Sequence, residues 1–271
     1  MKIAIVGTGM IGGAVARAAR RLRSVREVTG VDNNPVHAAD AVRLGLVQRM
    51  QADVPDDADI VVIATPSEAI ADRVIELRDH RGVIIDVGSV KGAIVSAVRA
   101  RLGSAPPRYV PCHPLAGSEK HGPAHAPEQL FHERLLILTP LPETDPRAIA
   151  TAEVFWRDLG SILHTMPLED HDRILARTSH LPHLLAFAFM HGIADEELRF
   201  SGGGFRDFSR IAASSPELWW KIFELNRDTL LAAVDRFDAD LKALREALAT
   251  NDSRTGLRLL AEAADRRRKL P

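Results

Sequence analysis

Two polar clusters in this chain contain the residue types that move protons and hold anions. Between Val83 and Pro123, the runs VIIDVGSVKG and YVPCHPLAGSEKHGP gather Ser89, Lys91, His113, Ser118 and Glu119. An apolar stretch ends at a Gly-Ser turn in the first run and at His113 in the second, so each reads as a buried strand breaking into a loop. Ligands of open α/β sheets bind beyond the carboxyl ends of the strands, and the two loops are therefore expected to converge on one ligand. An isolated histidine is more often structural than catalytic. His113 is not isolated, and a neutral imidazole in such company is a candidate general base near pH 7. The second cluster follows Gly202–Gly204, where Arg206 and Arg210 stand four apart. On a helix they share a face and could hold a carboxylate with bidentate geometry. His180 lies within one turn of His183, and His171 adjoins Asp172, spacings that can bind metal. With one cysteine, no HExxH and no third ligand nearby, no metal is expected.

These side chains need a scaffold, and the N-terminus indicates which. Lys2–Val6 is a short β-branched run that meets Gly7, Gly9 and Gly12, after which AVARAARRLR reads as a helix. Gly7 permits the tight turn, Gly9 lets a pyrophosphate approach, and Gly12 lets helix pack closely on strand, with the helix N-terminus facing the phosphates. A second strand, EVTGVD, ends at Asp32, twenty residues after Gly12, where an acid would accept both ribose hydroxyls. Such an acid repels a 2′-phosphate, and Asn33, Asn34 and Pro35 supply no arginine to neutralise one. NAD is therefore expected rather than NADP, with Gly7, Gly9, Met10, Ile11, Gly12, Asp32, Thr65 and Ser89 as its contacts.

Strands and helices then alternate. ADIVVIATP, VIIDV and RYVPC read as strands, separated by helices over Ser67–Leu77 and Lys91–Arg101, after an earlier helix over Pro35–Leu44. RLLILTP and SILHTM, joined by a helix over Pro146–Leu159, complete the domain near Met166. The pattern predicts a doubly wound, Rossmann-type α/β sheet with helices on both faces over residues 1–166. Residues 167–271 read as all-α, with Pro182 kinking the long helical run HDRILARTSHLPHLLAFAFMHG beside His180 and His183. Apolar stripes such as LLAAVDRFDADLKAL exceed what a small helical domain can bury, so a homodimer is expected.

Bulk composition excludes several classes. A chain of 271 residues suggests two domains, and a 46% hydrophobic content argues against disorder. With 35 basic and 36 acidic residues the net charge is −1, so no nucleic-acid surface is expected. No run of eighteen apolar residues occurs, the start MKIAIVGTGM is not a signal peptide, and the single cysteine fits a reducing compartment. The expectation is a cytoplasmic protein acting on small molecules, with no membrane partner.

Together, DVGSVKG (86–92), HPLAGSEKHGP (113–123), SHLPH (179–183) and GGGFRDFSRIAASSPELW (202–219) resemble the prephenate/arogenate (cyclohexadienyl) dehydrogenases, in that family's order and spacing. The resemblance covers nearly the whole chain. It implies NAD-dependent oxidative decarboxylation of prephenate or arogenate in tyrosine biosynthesis by an α-helical dimerisation domain joined to the nucleotide domain. It makes His113 the catalytic histidine, Ser89 its hydrogen-bond partner and Arg210 the ligand of the ring carboxylate. His183, Ser118, Glu119, Arg206 and Trp219 then line the pocket, Arg206 replacing a lysine expected of relatives. No regulatory ACT or chorismate mutase domain is expected within this length. Two rivals remain. A β-hydroxyacid-type dehydrogenase relies on an interdomain lysine, and none occurs between Lys120 and Lys221. A non-catalytic NAD-binding sensor would need the glycine fingerprint but not His113 and Arg210.

Overall fold

The computed structural model describes residues 1–117 and 122–270. Its first half follows the alternation read from the sequence. β1 (Lys2–Val6), α1 (Met10–Ala19), β2 (Glu27–Val31), α2 (Pro35–Arg43), β3 (Arg49–Met50), β4 (Ile60–Ile63), α3 (Ser67–Glu76), β5 (Val83–Asp86), α4 (Gly92–Leu102) and β6 (Tyr109–Pro114) come first, then β7 (Leu135–Leu138), α5 (Pro146–Asp158) and β8 (Ile162–Thr165). The strands form one sheet in the order β3-β2-β1-β4-β5-β6-β7-β8. All neighbours run parallel except β6 and β7, which are antiparallel. Strand order reverses between β1 and β4, the topological switch beside which ligands of such sheets bind. Two apolar clusters, one on each face, bury the strands: Ile3, Ile5, Val110 and Cys112 pack with α1 and α5 residues, while Ile63, Ile84 and Tyr109 pack with residues of α3 and α4.

Three features depart from the linear reading. β3 is only two residues long and its side chains give no periodic signal. α1 begins at Met10, directly after Gly9, so Gly12 lies inside the helix rather than in the turn. The Cβ of any other residue at Gly12 would sit 1.9 Å from the Gly7 carbonyl oxygen, and Gly7 itself has φ +90. The antiparallel β7 arises because β6 is followed by a connection with a 3₁₀ turn (Pro123–His125) in place of a crossover helix.

Helices α6 (Leu168–Leu175), α7 (Leu181–His191), α8 (Gly203–Ser209) and α9 (Pro216–Leu225) follow, and then α10 (Arg227–Ala249) and α11 (Ser253–Arg268). The run expected as one kinked helix is α6, a π-helical turn over Ala176–His180, and α7. Pro182 has no N–H for the Thr178 carbonyl, and the wide turn ahead of it accommodates the missing bond. Two compact units are present, Met1–Asn226 and Arg227–Pro271. The sequence pattern changes at Met166, whereas α6–α9 belong with the sheet. In the second unit α10 and α11 form a helical hairpin whose turn places Asn251 at φ 53, and Asp252 caps α11 by accepting from the Thr255 backbone N–H at 3.1 Å. Leu231, Leu241, Leu248, Leu257 and Leu260 stay exposed on this hairpin. No helix among the described residues is long and apolar enough to cross a membrane.

Candidate active site

His113 owes its direction to strand geometry. Side chains alternate along β6, so Val110 and Cys112 point into one face of the sheet, and Tyr109 and His113 point to the other. On that side α6 packs against α4. Asp172 on α6 fastens the two helices: its Oδ1 accepts from the Lys91 backbone N–H at 3.0 Å and its Oδ2 from the Gly92 N–H at 2.7 Å, satisfying two donors at the α4 N-terminus. Its neighbour His171 is wholly buried, with Nδ1 2.7 Å from Asp172 Oδ1 and Nε2 2.9 Å from His113 Nδ1. Sequence reasoning treated His171 and Asp172 only as metal-type spacing. Their adjacency was visible, but not which side chain they would meet.

Ser89 lies on the loop after β5 and is half-buried, yet it makes no hydrogen bond to His113. The ring's Nδ1 is engaged by His171, a contact that the sequence did not predict. Lys91 is not a pocket residue either. Its ammonium is completely buried, ion-paired with Asp86 and donating to the Cys112 carbonyl at 2.7 Å, while the Tyr109 hydroxyl donates to the other Asp86 oxygen at 2.9 Å. This cluster ties the end of β5 to β6 one residue before His113.

Burial sets the electrostatics. It pushes the His113 pKa well below 6.5, reinforced by His171, Lys91 and His180. Burial also lowers His171, against the opposing pull of Asp172, and takes His180 down to about 4. Asp172 would be raised by burial, but the His171 hydrogen bond and the Lys91 and Gly92 N–H groups hold it below the usual carboxylate value. The cluster is therefore a set of neutral imidazoles beside an ionised carboxylate.

The second group assembles around α7 and α9. His183 stacks on Trp219 with ring centroids 3.4 Å apart and planes 17° from parallel, and its Nδ1 bonds the Ser179 carbonyl at 2.8 Å. His183 is also lowered by burial, with a smaller contribution from nearby Arg210. His180 links the groups, its ring centroid 6.2 Å from that of Trp219, and it adds to the lowering of His113. Arg210 caps α8 and starts a 3₁₀ turn (Arg210–Ala213), so it and Arg206 do not lie on one uninterrupted α-helix. Both are exposed, and among the described residues neither is paired with a carboxylate. Ser118 and Glu119 fall outside the described residues.

The nucleotide end fits a dinucleotide on its own evidence. A Cβ added at Gly9 would meet nothing within 4 Å, so the chain itself leaves the space before the α1 N-terminus open, with Met10 and Ile11 as its first half-exposed turn. The buried Thr65 hydroxyl, just after β4, has no hydrogen-bond partner among the described residues. Asp32 is held at the end of β2: Oδ2 accepts from the Thr8 backbone N–H at 2.6 Å and from its hydroxyl at 2.9 Å, and Oδ1 accepts from the Asn34 N–H at 2.8 Å. A cavity of about 330 Å³ opens at the carboxyl ends of β1 and β2, lined by apolar residues such as Val6, Val31 and Leu77 and by charged ones such as Asp53, Asp56 and Arg73. Among the described residues no group of three or more His, Cys, Asp or Glu could hold a metal ion.

Comparison with known proteins agrees with this geometry. Residues 15–164 match the family model described as prephenate dehydrogenase, nucleotide-binding domain, and residues 167–262 match prephenate dehydrogenase, dimerization domain. A cyclohexadienyl dehydrogenase of Zymomonas mobilis is 36% identical over 265 residues, 92% of this chain and 89% of that protein. The crystal structure of prephenate dehydrogenase from A. aeolicus with hydroxyphenyl propionate and NAD+ superposes with a TM-score of 0.91 at 31% identity, covering 100% of this chain and 98% of that one. Synechocystis arogenate dehydrogenase gives a TM-score of 0.84 at 29% identity, covering 99% of each chain. The glycine fingerprint lies ahead of the range matched by the family model, while the A. aeolicus structure spans it.

Proposed function

The chain belongs to the prephenate dehydrogenase family, and from that premise we propose that it catalyses the NAD-dependent oxidative decarboxylation of prephenate, to 4-hydroxyphenylpyruvate, or of arogenate, to tyrosine, or of both. The observation that carries this reading is His113: a buried neutral imidazole with one nitrogen engaged by His171 and the other unengaged among the described residues. The substrate ring carries a carboxylate at one corner and a hydroxyl at the opposite one. As hydride leaves the hydroxyl-bearing carbon, His113 Nε2 accepts the hydroxyl proton, the C–CO₂ bond breaks, and its electron pair enters the ring, which becomes aromatic. A bound nicotinamide ring supplies the hydride acceptor. Gly7, Gly9, Met10, Ile11 and Gly12 would hold the pyrophosphate, Asp32 the ribose hydroxyls, and Thr65 and Ser89 the nicotinamide side. Arg210, beside His183 and paired with no carboxylate among the described residues, would hold the ring carboxylate, with Arg206, Trp219, Ser118 and Glu119 around it.

A β-hydroxyacid-type reaction lacks its lysine, since α6, the π turn and α7 offer His171, His180 and His183 instead. We further propose that residues 167–271 form the substrate and dimerisation region of a homodimer, supported by the exposed leucines of α10 and α11, and that the protein is cytoplasmic, in keeping with its one buried thiol. A monomer in light scattering at micromolar concentration would contradict the dimer. The function is tested by incubating the purified protein with each substrate and each of NAD and NADP, following reduced cofactor and CO₂. No turnover in any of the four mixtures would overturn it.

A further inference from the structure

A base at position 113 works only if its lone pair is on the nitrogen that faces the substrate, and a neutral imidazole places its single hydrogen on either nitrogen according to its partners. The structure determines which. Asp172 receives the Lys91 and Gly92 backbone N–H groups and stands 2.7 Å from His171 Nδ1. An ionised carboxylate can only accept, so His171 Nδ1 carries a hydrogen. His171 is buried and neutral, so its Nε2 bears a lone pair, and that lone pair lies 2.9 Å from His113 Nδ1. His113 Nδ1 must then be the donor. The lone pair of His113 is left on Nε2.

We propose that Asp172 and His171 are positioning residues that hold His113 in the Nδ1–H tautomer, with Nε2 as the base, and that steady the imidazolium formed when the substrate's hydroxyl proton arrives. This deepens the function proposed above and rests on His113 being its base. No proton travels along the chain. The substrate proton ends on Nε2, the Nδ1 hydrogen stays directed at His171, and the new positive charge is opposed by the Asp172 carboxylate two residues away. A cationic His171 would undo this, since both its nitrogens would donate, His113 Nδ1 would have to accept, and Nε2 would hold the hydrogen.

The other charged and titratable neighbours do not compete for His113 Nδ1. Lys91, ahead of α4, is engaged by Asp86 at the end of β5 and by the Cys112 carbonyl. His180, in the π turn, has Nδ1 3.1 Å from the Asn226 amide nitrogen, which also donates to the Asp172 carbonyl at 3.0 Å. That second bond fixes the amide orientation. His180 Nδ1 therefore accepts, and its hydrogen is on Nε2.

Asp172→Asn is the discriminating variant. An asparagine that keeps the Gly92 N–H on its oxygen turns its NH₂ toward His171 Nδ1 and gives up the Lys91 N–H bond; in that orientation every donor in the chain is reversed and His113 carries its hydrogen on Nε2. Nitrogen NMR of histidine-labelled protein near pH 8, with His113→Asn used to assign the ring, should show a pyridine-like Nε2 in the wild type and a pyrrole-like Nε2 in Asp172→Asn. The kcat of that variant should fall roughly 10²- to 10⁴-fold with KM and NAD affinity little changed. His171→Gln, whose side-chain oxygen can accept from His113 Nδ1, should remain within about tenfold of wild type, whereas His171→Leu should fall further. A pyrrole-like Nε2 in the wild-type protein overturns the proposal. So does equal loss in His171→Gln and His171→Leu, the mark of a packing role only. The NMR result is read without substrate, so absence of turnover with the wild-type tautomer intact would refute the proposed reaction and leave the relay standing.

Discussion

Replacing His113 and Arg210 should damage the enzyme in different ways, because in the proposed reaction one acts on a proton in flight and the other holds a charge throughout. His113→Asn retains a polar side chain that can still bond His171 but cannot take a proton. The lost interaction exists only in the transition state, and kcat should fall roughly 10²- to 10⁴-fold with KM nearly unchanged. Arg210→Ala removes a grip present before and during reaction. A charge-assisted hydrogen bond contributes about 1.5–3 kcal/mol. Arg210 is exposed, so water competes for the carboxylate and the lower half of that range applies, about a 10- to 40-fold rise in KM. Its kcat should fall less. Steady-state kinetics at fixed saturating NAD, with prephenate and with arogenate, separates the two patterns, and intrinsic fluorescence titration checks that both variants still bind NAD. Near-normal kcat in His113→Asn from pH 6 to 9 would refute the assignment of the base. An unchanged KM in Arg210→Ala would refute the carboxylate grip.

Other consequences can be checked separately. Asp32 directly follows β2 and no arginine comes after it at 33–35, so kcat/KM should be higher with NAD than with NADP, and Asp32→Ala should narrow the difference; a wild-type preference for NADP would contradict this. Buried neutral histidines make stability depend on pH. The folded pKa values lie below 6.5, so the unfolded chain binds more protons, and stability is full above about pH 6.5 and declines as pH falls, over a window reaching about 4 for His180. Thermal melts should therefore show a lower Tm at pH 5 than at pH 7.5, and equal values would count against neutral burial. Lys91→Met leaves Asp86 buried without its cation, a loss of roughly 3–5 kcal/mol, which for a chain of this size corresponds to a Tm lower by about 6–20 °C. Arg268→Ala, which breaks an exposed pair with Asp265, should change Tm by no more than about 2 °C. Similar shifts for the two variants would mean that the buried pair is not the stronger constraint.

How much of this was legible in the chain itself follows from the range of the forces involved. Local signals were sufficient for the parallel strands and their helices, because β-branched runs, glycine breaks and helix starts are encoded within a few residues. The same holds for the nucleotide fingerprint, since Gly7 and Gly12 are needed by contacts with residues close by in sequence or on the adjoining strand. His113 and Arg210 could be singled out by type and spacing. The two-residue β3 carried no signal, and the antiparallel β7 depends on how the connection after β6 returns to the sheet. Only the folded chain decides that Lys91 turns inward to Asp86, that His183 stacks on Trp219, and that His113 meets His171. His113 and His171 are 58 residues apart, and their pairing exists because strand alternation aims one ring at the face where Asp172 fastens α6 to the start of α4. A sequence lists the donors and acceptors, but which of them meet, and hence which nitrogen carries the hydrogen, is settled by packing between elements distant in the chain.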